Sequence, residues 1–209
     1  MSSIPSGLRP PRPPLDPKVL LAAVWAVALV SPHHGAASYI ASPPPHKAMV
    51  PAVYAFGDSI VDPGNNNRLA TVAKSNFPPY GQDLNPSVPM GRFSNGRVPS
   101  DMLAEKLGVK KLLPTYLNPN LELQDILTNV SFPSGANGYD PLSAELAMVL
   151  SLSDQLGFYS ECMETVRSEV GEERASAIAS KSLYIVCTGA NDITNTYFAS
   201  PLRRSKYNI

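Results

Sequence analysis

A serine placed directly after a short apolar segment has the setting of a nucleophile. Residues 53–56 are apolar, and Gly57, Asp58 and Ser59 follow them without a gap. A tight turn at the end of a buried strand exposes a serine hydroxyl at the edge of a sheet, where it can attack an ester carbonyl. The alternative interpretation is that Ser59 belongs to a plain turn that ends the strand.

Two further loops have the same layout, an apolar segment followed by a polar turn. Gly135 comes shortly after the predicted strand 129–132, and Asn191 follows the apolar segment 183–187. In open parallel sheets the functional crevice lies beyond the carboxyl ends of the strands, so the three turns meet if their strands are neighbours. A hydroxyl, a backbone amide and a side-chain amide can together attack an ester and stabilise its oxyanion. The alternatives are a glycine needed only for backbone geometry, a capping asparagine, and Gly138 as the amide donor.

The sequence supplies no histidine after this serine. Its three histidines are His33, His34 and His46, and all of them precede Ser59. A serine nucleophile needs an adjacent general base, so we expect Ser59 to have none within this sequence. Asp58 is expected to organise the loop rather than to act as that base.

The elements that must position these residues alternate between strands and helices. The pattern predicts strands at 53–56, 129–132 and 183–187, and helices at 99–107, 142–167 and 172–180. The longest helix is expected to break near 151–154, with Ser153 or Asp154 capping its second piece. Strands that alternate with helices predict an α/β fold with a parallel sheet.

The first 38 residues have the pattern of a secretory signal peptide. Basic residues precede a twelve-residue apolar run at 19–30, and small residues follow it. We expect cleavage near Ala37 or Ser38 and export to the cell exterior. Such a run is too short to cross a hydrocarbon core of ~30 Å, so no integral membrane association is expected, although a membrane anchor remains the alternative. Residues 39–52 are a proline-rich lead-in, and the main domain spans 53–209.

The amino-acid composition indicates which binding partners and covalent modifications to expect. The sequence has 17 Lys+Arg and 17 Asp+Glu, and this balance does not favour nucleic acid or an anionic membrane surface. Cys162 and Cys187 fall in a predicted helix and a predicted strand, and two buried free thiols are favoured over a disulfide. Asn129 begins an Asn-Val-Ser sequon, but it adjoins a predicted buried strand, so we expect it to remain unglycosylated.

Three sequence blocks occur in a recognisable order: residues 56–66, 132–140 and 189–192. Together they resemble the blocks of a plant GDSL-type esterase/lipase of the SGNH hydrolase superfamily, and the resemblance runs from about Val53 to Ile209. It implies a three-layer, flavodoxin-like α/β fold with a parallel sheet that is incomplete at the C-terminus. It also implies an ester or acyl-lipid substrate, no cofactor and no metal.

The resemblance assigns roles to particular residues. Ser59 would be the nucleophile, and the amides of Ser59 and Gly135 with the side chain of Asn191 would form the oxyanion hole. Family members carry an Asp-x-x-His pair near the C-terminus, and this sequence has none, so the catalytic His and Asp are absent. We therefore expect a portion of a hydrolase that is inactive alone; the alternative is a catalytically dead binding or regulatory protein. Ile60 replaces the leucine of the motif, and residues 136–137 also depart from the family pattern.

Overall fold

The computed structural model describes residues 48–207. The predicted signal peptide at 1–38, most of the lead-in at 39–52 and all three histidines lie outside the described residues. Within the described part of the chain, no helix is both long and apolar enough to span a bilayer.

A three-stranded parallel sheet forms the centre of the described region. Its strands are β1 (Val53–Gly57), β2 (Asn129–Ser131) and β3 (Leu183–Cys187), in the order β2-β1-β3. The three predicted strands are confirmed, although β1 ends one residue later and β2 one residue earlier than expected. Because both outer strands run parallel to β1, the carboxyl ends of all three meet at one edge. The turns that carry Ser59, Gly135 and Asn191 leave the sheet at this edge.

Six α-helices accompany the sheet in the described region: α1 (Pro99–Lys106), α2 (Leu123–Thr128), α3 (Pro141–Ala147), α4 (Leu152–Val170), α5 (Glu172–Lys181) and α6 (Pro201–Lys206). A 3₁₀ turn at Asn65–Arg68 and a π-helical segment at Asp192–Tyr197 complete the elements there. The 3₁₀ turn, α2, the π segment and α6 were not predicted, because pieces of six residues or fewer carry too little apolar periodicity.

The predicted break in the long helical segment is confirmed, but its cap is a different residue. Ser151 Oγ accepts a hydrogen bond from the Asp154 amide at 3.1 Å, and Asp154 Oδ2 accepts one from the Ser151 amide at 2.8 Å. This reciprocal capping box makes Ser151 the N-cap of α4, so the prediction of Ser153 or Asp154 as cap was wrong. Asp154 still contributes, three residues inside the helix.

Helices cover both faces of the sheet, as the resemblance implies. On one face Tyr54 and Phe132 form an aromatic and aliphatic core with residues of α4 and α5. On the other face Val53 and Ala55 pack with Ala104 of α1 and with Leu113. β1 is therefore buried on both faces, which explains why its sequence lacks apolar–polar alternation.

Both cysteines are free thiols. Cys162 of α4 is buried, as expected, whereas Cys187 at the end of β3 is only half-buried. Asn129 is buried at the start of β2, and its Nδ2 donates to Thr128 Oγ1 at 2.5 Å. A glycan on that nitrogen would require the start of β2 to move.

Among residues 48–207, no strand pairs with the outer side of β3. The Leu183 amide donates to Ala52 O and the Asp58 amide to Cys187 O, so the odd-numbered residues direct their backbone groups towards β1. Backbone groups alternate along a strand, and those of Tyr184 and Val186 therefore face outwards. Their side chains are 41% and 59% exposed. An apolar edge without charge or proline is prone to pair with another chain.

We expect the purified chain to self-associate through this edge and to be marginally stable. Val186→Lys places a charge on the edge strand and is expected to shift the chain towards monomer in gel filtration. Val72→Lys is the matched control, because Val72 is 91% exposed but lies outside any strand. A monodisperse wild-type monomer with a sharp thermal transition would contradict the prediction.

Candidate functional site

Ser59 lies in the turn directly after β1 and is half-exposed. Asp58 shapes this turn, as expected: its Oδ1 accepts the Ile60 amide at 3.0 Å, and its carbonyl accepts the Val61 amide at 3.2 Å. The Ser59 hydroxyl makes no hydrogen bond to any residue between 48 and 207. The described residues thus present this serine without a base beside it.

The end of β1 is held by a residue that sequence reasoning missed, Gln155 of α4. Its Oε1 accepts the Gly57 amide at 2.8 Å, and its Nε2 donates to Gly57 O at 3.0 Å. Gly57 itself has φ 127°, and a Cβ there would lie 1.8 Å from Cys187 O, so only glycine fits. A signal was available: Gln155 shares its helix face with the buried residues Cys162, Met163 and Val166.

A buried polar network joins the serine turn to the loop after β2. Asp62 Oδ1 accepts the amides of Gly64 at 2.7 Å and Asn65 at 2.9 Å, and Asp62 Oδ2 accepts the Gly135 amide at 2.9 Å. Asn66 Nδ2 donates to Gly135 O at 2.9 Å. Asp62 and Asn66 are both buried, so these bonds fix the loop in a water-poor setting.

Gly135 is therefore placed at the site, but its amide is not free. The expectation of an available Gly135 amide is corrected by its bond to Asp62. Space also requires a glycine here, because a Cβ would lie 2.4 Å from the Phe93 ring. The next residue, Ala136, adopts a left-handed conformation with φ 72°.

Ala136→Gly is expected to stabilise the chain by about 1 kcal/mol, because the left-handed conformation is strained for an L side chain and free for glycine. Urea unfolding measures the change. Ala177→Gly in α5 is the control and should destabilise by roughly the same amount, since it adds glycine to a helix interior. A loss of stability in Ala136→Gly would contradict the prediction.

The loop after β3 contacts the loop after β2. Asn191 Nδ2 donates to Asn137 O at 2.7 Å, which directs the Asn191 side chain at the loop that contains Gly135. The neighbouring Asp192 accepts the amides of Tyr139 at 2.7 Å and Asp140 at 3.0 Å. The Ser134 amide in turn donates to Gly57 O at 3.0 Å, two residues before Ser59. The three loops are thus in contact, although Ser59 has no hydrogen bond to Gly135 or Asn191.

Two buried carboxyl groups lie in the serine turn. Burial raises the pKa of Asp62 to about 7, against the lowering effects of its three backbone hydrogen bonds and the charge of Arg92. Burial also raises the pKa of Asp58; its bond from the Ile60 amide lowers that pKa, and the charge of Asp192 raises it. Both carboxyl groups accept backbone amides, and neither is hydrogen-bonded to Ser59.

The free energy of unfolding is expected to fall as the pH rises from about 4, the pKa of an unfolded aspartate, towards the value of about 7 for folded Asp62. In this interval the folded chain keeps a proton that the unfolded chain has released, so raising the pH favours unfolding. The raised pKa of Asp58 acts with the same sign. Urea unfolding at one pH near the lower end of this interval and one pH above it measures the change in the free energy of unfolding. Equal or greater stability at the higher pH would refute the prediction.

Comparison with known proteins identifies the family of this chain. A family model described as GDSL-like Lipase/Acylhydrolase matches residues 53–208. The chain belongs to this family. It is 48% identical over 174 residues to the Arabidopsis thaliana GDSL esterase/lipase EXL3, covering 83% of this chain and 48% of that relative. It is 51% identical over 162 residues to the Arabidopsis thaliana GDSL esterase/lipase At5g42170, covering 78% of this chain and 44% of that relative.

This GDSL chain spans about half the length of the curated relatives that it matches. Its isoleucine at the position that names the motif lies outside the core: Ile60 is 47% exposed, and only its amide is held, by Asp58. The exchange of leucine for isoleucine therefore leaves the buried network around Asp62 untouched.

Proposed function

We propose that this chain carries the N-terminal part of the active site of a secreted serine ester hydrolase. The observation that supports it best is that three loops, joined by buried and partly buried polar contacts, leave the sheet at the edge where half-exposed Ser59 lies. Ser59 Oγ attacks the carbonyl of an acyl ester, the tetrahedral intermediate loses the alcohol, and water hydrolyses the acyl-enzyme. The oxyanion is stabilised by the Ser59 amide, an amide of the loop after β2, and the Asn191 side chain.

In this proposal the general base is not one of these 209 residues, because no histidine follows His46 in the sequence. The substrate class is an acyl ester of a lipid or of a cell-wall polymer, reached after export through the signal peptide. A second candidate is a catalytically dead binding protein, favoured by the absence of any hydrogen-bond partner for the Ser59 hydroxyl in the described region.

A chimera tests the enzyme proposal. The chain is joined to the C-terminal half of the Arabidopsis relative EXL3 and assayed on p-nitrophenyl butyrate. Turnover should appear in the chimera and fall by at least ~10³-fold in Ser59→Ala, while Ser160→Ala on the exposed side of α4 should have no effect. If a folded chimera had the same turnover with and without Ser59→Ala, the assignment of Ser59 as nucleophile would be wrong.

Export is tested by expressing the chain in plant cells and sequencing the mature N-terminus. Retained Met1 on a membrane-embedded product would refute export.

A further inference from the structure

The sequence contains two Asn-Gly pairs, and the structure places them in opposite surroundings. Asn95-Gly96 lies in the loop before α1, and Asn137-Gly138 lies in the loop after β2. An asparagine followed by glycine is chemically labile, because a glycine nitrogen with no Cβ beside it can approach the side-chain amide carbon of the asparagine. The two pairs share this local chemistry, so a difference between them must come from the fold.

The pair in the loop after β2 is shielded from this reaction. Asn137 is fully buried, and its carbonyl accepts Asn191 Nδ2 at 2.7 Å. A Cβ on Gly138 would lie 1.9 Å from Asp192 Oδ1, so this glycine is tightly packed as well. The Gly138 nitrogen therefore has no room to turn towards the amide carbon, and the water that completes the reaction is excluded.

The pair in the loop before α1 lies at the surface. Asn95 is exposed, and its Nδ2 donates to Asp83 Oδ2 in a contact that solvent reaches. The Gly96 N–H donates to Ser94 Oγ at 3.1 Å, in a half-buried bond that water can replace. A Cβ on Gly96 would come no closer than 3.6 Å to Asp83 Cβ, so the loop is not packed tightly around this glycine. Water thus reaches the Asn95 amide, and the Gly96 nitrogen has room to turn towards it.

We propose that Asn95 is a site of spontaneous deamidation in the folded chain and that Asn137 is protected from it. The Gly96 nitrogen bonds to Asn95 Cγ, the Cγ–Nδ2 bond breaks, and the proton lost by the Gly96 nitrogen leaves with Nδ2 as ammonia. Water then opens the succinimide ring. Opening at Cγ gives aspartate, and opening at the main-chain carbonyl carbon gives isoaspartate, in which the backbone runs through the former side chain. Carboxyl methyltransferases specific for isoaspartate recognise that product, so the aged chain becomes a substrate for this class of enzyme.

Deamidation at this position loosens a segment that packs against the loop after β2. The Asp83 amide donates to Asn95 O at 2.7 Å, and isoaspartate adds a backbone atom next to this carbonyl. The new carboxylate at position 95 also replaces the side-chain contact with Asp83 by repulsion. The same segment carries Phe93, whose ring would lie 2.4 Å from a Cβ on Gly135. The contact between Phe93 and Gly135 links ageing at Asn95 to the candidate site.

Incubation of the 209-residue chain in mildly alkaline buffer, followed by proteolysis and mass spectrometry, tests the proposal. The peptide with Asn95 should accumulate deamidated product several-fold faster than the peptide with Asn137, and an isoaspartyl methyltransferase should methylate the first peptide alone. In a urea-unfolded sample the two pairs should react at similar rates, because the fold no longer distinguishes them. A folded chain in which Asn95 reacts no faster than Asn137 overturns the proposal.

Gly96→Ala is the matched variant, because a Cβ at this position makes only ordinary contacts. It should slow the reaction at Asn95 several-fold, since the Cβ hinders the approach of the nitrogen, and it should leave Asn137 unchanged. Ageing should lower the melting temperature of the wild-type chain and not that of Gly96→Ala. An unchanged rate at Asn95 in Gly96→Ala would contradict the succinimide route.

Discussion

The purified 209-residue chain is expected to hydrolyse p-nitrophenyl acetate and butyrate only slowly. Its Ser59 hydroxyl has no hydrogen-bond partner in the described region, and no histidine follows it in the sequence. Serine hydrolases that lose triad members retain on the order of 10³-fold acceleration over water, from the oxyanion hole and binding alone. The rate of this chain should therefore stay within about that range of the uncatalysed reaction.

Two variants show where the residual rate comes from. Ser59→Ala should leave most of the residual acceleration in place, because the oxyanion hole and binding supply it without the nucleophile, and Ser160→Ala should preserve it as well. Added imidazole should raise the rate of wild type above that of Ser59→Ala if a missing base is what limits the reaction. Robust turnover without imidazole that vanishes in Ser59→Ala would contradict the prediction and would point to His46 or to another base.

The strands and long helices could be predicted because apolar periodicity is a local property of the sequence. The turns after β1, β2 and β3 were placed by the same reasoning, since parallel strands bring their carboxyl ends to one edge. The cap of α4 was misplaced by two or three residues, because Ser151, Ser153 and Asp154 are all good capping residues and only the backbone geometry distinguishes them.

The contacts that shape the site could not be predicted from the sequence, for a different reason. Gln155 binds Gly57 across 98 positions of the chain, and Asp62 binds Gly135 across 73. A polar residue on a buried face shows that a partner must exist, but it does not say which backbone group that partner is. Whether the Gly135 amide is free depends on its contact with Asp62, and the sequence pattern does not reveal that contact.

Arg92→Met is expected to lower the free energy of unfolding by about 3 kcal/mol, at the lower end of the range for breaking a buried ion pair. Arg92 is 5% exposed, and its Nε and Nη2 donate to the two carboxylate oxygens of Asp101 at 2.8 and 2.9 Å. Its Nη2 also donates to Leu113 O at 3.0 Å. Methionine preserves most of the apolar stem but leaves the Asp101 carboxylate buried without its cation.

The loss is limited because Asp101 keeps two other partners, the amides of Val98 at 3.1 Å and Leu113 at 2.7 Å. Arg97→Met is the matched control: Arg97 pairs with Glu105 at the surface, where such pairs contribute about 1 kcal/mol or less. Urea unfolding of both variants at low and high salt measures how much each ion pair contributes to the free energy of unfolding. Salt should weaken the Arg97 contribution and leave the Arg92 contribution unchanged, since only the exposed pair is screened. Equal losses at the two positions would contradict the prediction.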